Sequence, residues 1–509
     1  MDLGEIIQAI RTGHLDSQSL IRIYLARIAD TNAKVKAVGS LNPDAEALAL
    51  EKDTQQKAGI VLGDLHGVPI IVKDTLVTND KMDTTGGSFA LVGAKFRTPS
   101  TTIKRLQDAG AIILGKANLS QWGMARSGNC PNGWSALHGQ ALGAFHENQD
   151  PQGSSSGCAI AASLNLASAT IGGETCGSIL YPAQRNGVVG LKPTVGLTSR
   201  AGTIPLNPEH DSIGPLTRFV KDSARILQVI AGRDELDPAT WDIPFASIPD
   251  YVGACSLAGC QGLRIVLPTS VRKVIRSDPE IDRAFQTAVE TLRSLGAIIV
   301  EDVDFEKWKP GGRQREDLMG DILLRESYKE FFSDLEVNPH GIHDLADLIE
   351  FIKRTPEEAY AEFGAGWFES ARDASGTSSS EAFLSCKSRM EELGSDLVKL
   401  LDRTNCDILL ATGSTDLPLD LGRLPGISVP LGYWSEARDA TIGEDGTVTK
   451  GPNMPFSVVF AGRRFSEEKL LGCAYAFEQA TLAINDGPGK MQVRPVADVN
   501  LPFSQSERL

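Results

Sequence analysis

The chain of 509 residues, 41% of them hydrophobic, is long enough to bury a large core, and length alone allows two to four domains. Its net charge of −15 argues against nucleic acid or an anionic membrane as partner, because clusters such as Arg272-Lys273 are too small to offset it. Eight cysteines without Cys-X-X-Cys spacing point to free thiols in a reducing, cytoplasmic compartment, and seven histidines without His-Glu-X-X-His spacing point away from metal catalysis.

Residues Met1 to Ile10 read as an amphipathic helix that packs on the body, since no basic segment precedes a long apolar core and no apolar run reaches membrane-spanning length. Gly67 to Val72 is a continuous apolar run, the pattern of a strand covered on both faces, and it ends at Lys73-Asp74. Thr101 to Gly110 has helical apolar spacing and a glycine stop before Ala111 to Leu114. Gly153-Ser154-Ser155-Ser156-Gly157 opens a segment, Gly157 to Ala167, that is apolar on nearly all faces and reads as a buried helix. Ser168 to Gly173 then reads as extended. About eleven helical residues at 1.5 Å carry the chain ~16 Å away, and about six extended ones at 3.3 Å return it. Ser178, in the loop Thr175-Cys176-Gly177-Ser178, can thus come back beside Ser154.

Asp278-Pro279 opens a helix with Ile281, Phe285, Val289 and Leu292 on one face, stopped by Gly296 before Ala297 to Val300. Such helix–strand units predict an α/β fold with a covered, largely parallel sheet. Residues from about 233 to 400 hold many of the aromatics, including Trp308, Tyr328, Phe332, Trp367 and Phe368. Most are expected in the core, and this stretch is where a substrate-shaping cap would sit. His340-Gly-Ile-His343 reads as a loop feature, and the low-complexity patch Ala374 to Ser380 as a connector between helices.

These loops carry a coherent chemistry. A serine is a weak nucleophile without a base, and a lysine ending a buried strand is poorly solvated, which favours the neutral amine that accepts a proton. A helix start beside Ser154 and a glycine-bearing turn before Ser178 supply N–H groups for an oxyanion. Cys176 is a rival nucleophile. A thiolate needs a neighbouring cation or base, however, and no histidine lies close to it in sequence, which favours a structural or pocket-lining thiol.

Gly67-Val68-Pro69 with Val72-Lys73-Asp74, the Gly153 to Gly157 loop, Gly173 to Ile179, and Gly187-Val188-Val189-Gly190-Leu191-Lys192-Pro193-Thr194 together closely resemble the Amidase Signature family of serine hydrolases. Ser154 and Ser178 stand 24 residues apart, the family's spacing between bridging and nucleophilic serines. Thr84 to Ser88, Gly110 to Ser120, Pro425 to Pro430 and Ala474 to Thr481 extend the likeness over most of the chain.

The resemblance implies a large mixed central sheet flanked by helices, in one domain over 1–509. Its parts would be N-terminal helices to about 58, a catalytic core over about 59–232, a divergent region over about 233–400, a return to the core to about 490, and a tail, 491–509. It implies a triad in which Ser178 attacks, Ser154 follows a cis peptide bond and passes the proton, and Lys73 receives it, with Ser155 in support. It also implies oxyanion donors on the main chain of Thr175, Cys176, Gly177 and Ser178, an acyl-group contact at Gly123 with Trp122 and Met124 beside it, and no metal or cofactor.

Cys176 stands where the family commonly has glycine, Ser156 where many members have glycine, and Leu180 where arginine is frequent. Those departures bear on substrate, and the Glu-Thr-X-Gly-Ser form resembles peptide amidases and fungal amidases. The expectation is a monomeric or homodimeric amidase taking a small aryl or alkyl amide or a peptide C-terminal amide. The alternatives are the glutamine-hydrolysing subunit of an amidotransferase and a non-catalytic binding protein with the same fold.

Overall fold

Apolar runs lacking helical polar faces become the strands of one sheet. They are Val38–Leu41 (β1), Pro69–Lys73 (β2), Ile112–Ala117 (β3), Ala169–Glu174 (β4), Val189–Lys192 (β5), Ser212–Thr217 (β6), Arg264–Val266 (β7), Ile298–Val300 (β8), Ile408–Thr412 (β9), Gly426–Tyr433 (β10) and Pro455–Gly462 (β11). The computed structural model describes residues 1–310, 317–413 and 415–496, so the end of the 491–509 tail lies outside the described residues.

The strands lie in the order β1-β3-β2-β4-β6-β5-β10-β11-β9-β7-β8. Parallel pairing is confined to two groups of three, β3-β2-β4 and β9-β7-β8, and every other pairing is antiparallel. The sheet is therefore mixed. This corrects the largely parallel sheet expected from the helix–strand units and agrees with the architecture the resemblance implied. Burial on both faces produces the same unbroken apolar run whatever the direction of the neighbouring strand.

The helices follow their sequence signals closely. Leu3–Arg11 (α1) is capped by Asp2 with Glu5 in a capping box and buries Leu3, Ile6, Ile7, Ala9 and Ile10. Thr101–Asp108 (α2) precedes β3 as expected. Ser156–Ser163 (α3) is shorter than the predicted 157–167 helix, because Asn165 adopts φ +51° and the chain turns there. Leu180–Arg185 (α4) follows the Thr175 to Ser178 loop. Pro279–Ser294 (α5) starts at Asp278, whose carboxylate accepts the N–H groups of Glu280 and Ile281. Among the described residues, no helix is long and apolar enough to cross a membrane.

The divergent region adds Asp317–Ser333 (α6), Leu345–Arg354 (α7), Gly366–Asp373 (α8) and Glu381–Arg403 (α9), with the Ala374 to Ser380 connector between the last two. Tyr328, Phe332 and Phe368 surround Trp122 at ring-centroid distances of 5.7, 6.4 and 6.0 Å, forming a core separate from the one beneath the sheet.

One carboxylate ties that core to the segment around Ser88 and Gln121. Glu358, fully buried, accepts from Ser88 Oγ at 2.6 Å, Phe89 N at 2.8 Å, Gln121 Nε2 at 2.9 Å and the buried Arg126 guanidinium at 3.3 Å. Glu358→Gln removes the only formal negative charge in this set and leaves Arg126 buried without its counter-ion. The expected loss is about 3 kcal/mol of stability or more, read from the midpoint of urea unfolding, and an unchanged midpoint would show that the pair contributes nothing.

Candidate active site

Register places the lysine. β2 pairs in parallel with β4 through Ile70–Ala169 and Val72–Ile171, so the end of β2 lies alongside Gly173. Lys73, 3% exposed, donates from Nζ to Ser154 Oγ at 2.8 Å and to the Gly173 carbonyl at 3.0 Å. Burial lowers its pKa from 10.5 to about 8, against the charges of Cys158, Asp211 and Glu174, which act to raise it. Burial alone does not single Lys73 out. Lys116 is also pushed down to about 8, yet its amine is held by the Leu76 carbonyl at 2.5 Å and Thr84 Oγ1 at 2.8 Å, and the buried Lys192 is held by the carbonyls of Leu424 and Pro193. Lys73 alone among these three meets a serine of the two loops.

Ser154 follows a cis peptide bond from Gly153, and its carbonyl accepts the Ser120 N–H at 3.1 Å. A Cβ at Gly153 would stand 2.2 Å from Ser120 Oγ, so any side chain there displaces Ser120. Ser155 joins three parts of the site. Its N–H donates to the Ser178 carbonyl at 3.0 Å, its hydroxyl donates to the Gly173 carbonyl at 3.0 Å, and the Gly173 N–H donates to that hydroxyl at 3.3 Å. Lys73 and Ser155 thus share one carbonyl at the end of β4.

The Thr175 to Ser178 turn is clamped by two carboxylates that the sequence did not single out. Glu174 accepts the N–H groups of Ile179 at 2.7 Å and Leu180 at 3.0 Å. Asp211 accepts from Thr175 Oγ1 at 2.5 Å and from the N–H groups of Leu206 and Asn207 at 2.8 and 3.0 Å. Burial pushes both carboxyls upward, against these hydrogen bonds. A Glu followed by a turn was the available signal for the first clamp. Nothing in the local pattern marks the second.

Gly177 has φ +77°, and a Cβ there would stand 2.2 Å from the Tyr181 ring, whose hydroxyl donates to Asp416 at 2.8 Å. Gly177→Ala should therefore displace the turn. We expect about a hundredfold slower labelling of Ser178 by a fluorophosphonate, the effect of losing one well-placed main-chain donor, and an unaltered labelling rate would remove the turn from the chemistry.

Ser178, Cys176, Thr175 and Gly123 open onto one cavity of about 680 Å³. Asn132 and Gln152 give it a polar flank, while Met319, Leu324, Trp367, Met390 and Leu393 from the divergent region give it an apolar one. Gly123 takes φ +64° between Trp122 and Met124, both also at positive φ, and a Cβ there would meet Leu206 at 2.8 Å. Gly123 and Met124 line the cavity as expected. Trp122 does not, because it is fully buried behind them in the aromatic core. Cys176 presents a half-buried thiol on the cavity wall. The structure brings Lys73, Ser154, Ser155 and the Ser178 main chain together, while no hydrogen bond joins the Ser154 and Ser178 side chains among the described residues. Among those residues, no three His, Cys, Asp or Glu side chains cluster as a metal site.

The Amidase family model matches residues 19–471. A protein of Arthroderma benhamiae that carries an amidase name is 40% identical over 480 residues, which cover 93% of this chain and 80% of that protein. The structure of the native peptide amidase from Stenotrophomonas maltophilia superposes with a TM-score of 0.85 at 33% identity, covering 95% of this chain and 97% of its own. A glutamyl-tRNA(Gln) amidotransferase subunit from Geobacter metallireducens is 28% identical over 512 residues, covering 94% of this chain and 97% of that protein.

Proposed function

We propose, from the premise that this chain belongs to the amidase family, that it hydrolyses a carboxamide through Ser178, Ser154 and Lys73. It is a hydrolase of carbon–nitrogen amide bonds. Ser178 Oγ attacks the carbonyl carbon while its proton passes to Ser154 Oγ and the Ser154 proton passes to neutral Lys73. Run in reverse, the same relay protonates the amide nitrogen, the C–N bond breaks, the amine leaves, and an ester on Ser178 remains for water to cleave. The observation that carries this reading is the 2.8 Å contact between the buried Lys73 amine and Ser154. The oxyanion falls to the main-chain N–H groups of the Thr175, Cys176, Gly177 and Ser178 turn.

The Ser155 hydroxyl steadies the relay through the Gly173 carbonyl, and Gly123 bounds the acyl side of the cavity. Similarity to a peptide amidase supports a peptide C-terminal amide or a compact aryl or alkyl amide as substrate. Eight cysteines kept as thiols support a reducing, cytoplasmic setting. The test is intact-mass spectrometry of the purified chain across an ester and amide panel. A mass increase equal to the acyl group and localised to Ser178, formed without other polypeptides, is the expected result. Acylation of Cys176 instead would overturn the assignment, and turnover appearing only with added partner proteins would favour the amidotransferase reading.

A further inference from the structure

The loop that leads into β6, Leu206 to Asp211, lies against the active-site turn. Asp211 accepts from Thr175 Oγ1 at 2.5 Å and from the N–H groups of Leu206 and Asn207, so the loop closes both on itself and on that turn. It is pinned from outside as well. Glu209 pairs with Lys387 of α9 at 2.7 Å and with Arg423, and the Arg200 guanidinium donates to the Pro208 carbonyl. Leu206, Asn207 and His210 of this loop line the large cavity onto which Ser178 opens.

The tautomer of His210 follows from its neighbours. The Glu209 N–H donates to Asn207 Oδ1 at 3.0 Å, which leaves the Asn207 amide nitrogen facing the ring, and that nitrogen donates to His210 Nδ1 at 3.3 Å. Nδ1 is thus an acceptor, and the proton of the neutral ring sits on Nε2. Burial lowers the pKa of His210, helped by Lys192 and Lys387 and opposed by Asp420 and Asp211, so the ring is neutral. Nε2 has no hydrogen-bond partner among the described residues and is not sealed from solvent, and the residue keeps 9% of its surface exposed where it lines the cavity. An N–H held at a cavity wall without a protein acceptor is completed by an acceptor on the bound molecule.

We infer that His210 is a specificity residue whose Nε2–H donates to a carbonyl oxygen in the acyl half of the substrate, favouring peptide-like amides over plain aryl or alkyl ones. The inference rests on the amidase reading above and narrows its substrate class. A plain alkyl amide displaces water from the cavity and leaves this N–H unpaired, whereas an N-acylated amino-acid amide pairs it. His210 acts on the placing of the substrate, at a distance from the bonds that form and break.

Two carboxamides that differ by one oxygen test this. Both have the skeleton of N-acetylphenylalaninamide with CH2 in place of the peptide N–H; one keeps the acetyl carbonyl, and the other has CH2 there too. The unaltered enzyme is expected to prefer the carbonyl-bearing amide about tenfold in kcat/KM, the effect of one neutral hydrogen bond. His210→Phe, which keeps a flat ring without a donor, is expected to bring that ratio to about one, and His210→Gln, which restores an N–H at nearly the same reach, is expected to keep most of it. Three results overturn the inference alone, with Ser178 still taking a fluorophosphonate label: no preference in the unaltered enzyme, a ratio that His210→Phe leaves unchanged because both amides slow together, or a ratio lost as fully in His210→Gln as in His210→Phe. Failure of the label to attach to Ser178 in the unaltered enzyme removes the triad reading and this inference with it.

Discussion

Ser178→Ala is expected to leave the fold intact and to lower amide hydrolysis by about 10⁴-fold or more in kcat, with substrate affinity little changed. The residue is small and 8% exposed, and its carbonyl, which anchors Ser155, is main chain and survives the substitution. The cost falls on the bond-making step. Steady-state kinetics with one amide, together with circular dichroism, checks this. Activity surviving within tenfold of the parent would leave Ser178 without its assigned part and bring Cys176 forward.

The second large effect is on pH dependence. The neutral Lys73 amine is the acceptor, and burial lowers its pKa to about 8, so below that pH a growing fraction is protonated and inactive. kcat/KM should therefore rise with pH and level off above about 8, with a tenfold decrease per unit on the acid side. Lys73→Ala should abolish the limb along with most of the rate. A limb centred below 6.5 would indicate a histidine instead, and His210, buried beside the large cavity with its pKa lowered by that burial, would be the residue to examine.

Much of this was readable before coordinates. The β2 run, the α3 segment and β4 each have an unambiguous apolar pattern, and the lengths of α3 and β4 alone return Ser178 toward Ser154. Strand direction was not readable, because a residue covered on both faces carries no imprint of its neighbour's polarity. Asp211 and Glu358 escaped notice for another reason. Each is a carboxylate in a polar stretch, the usual appearance of a solvated residue, and its partners lie as far as 36 and 270 positions away.

The position of Glu358 sets a limit on engineering. Chimaeras that graft the 233–400 insert of a relative onto this scaffold, to exchange substrate preference, transplant one end of a charge network whose other end, Ser88, Gln121 and Arg126, stays behind. Such hybrids must carry both halves together or mispair an ion in a dry interior.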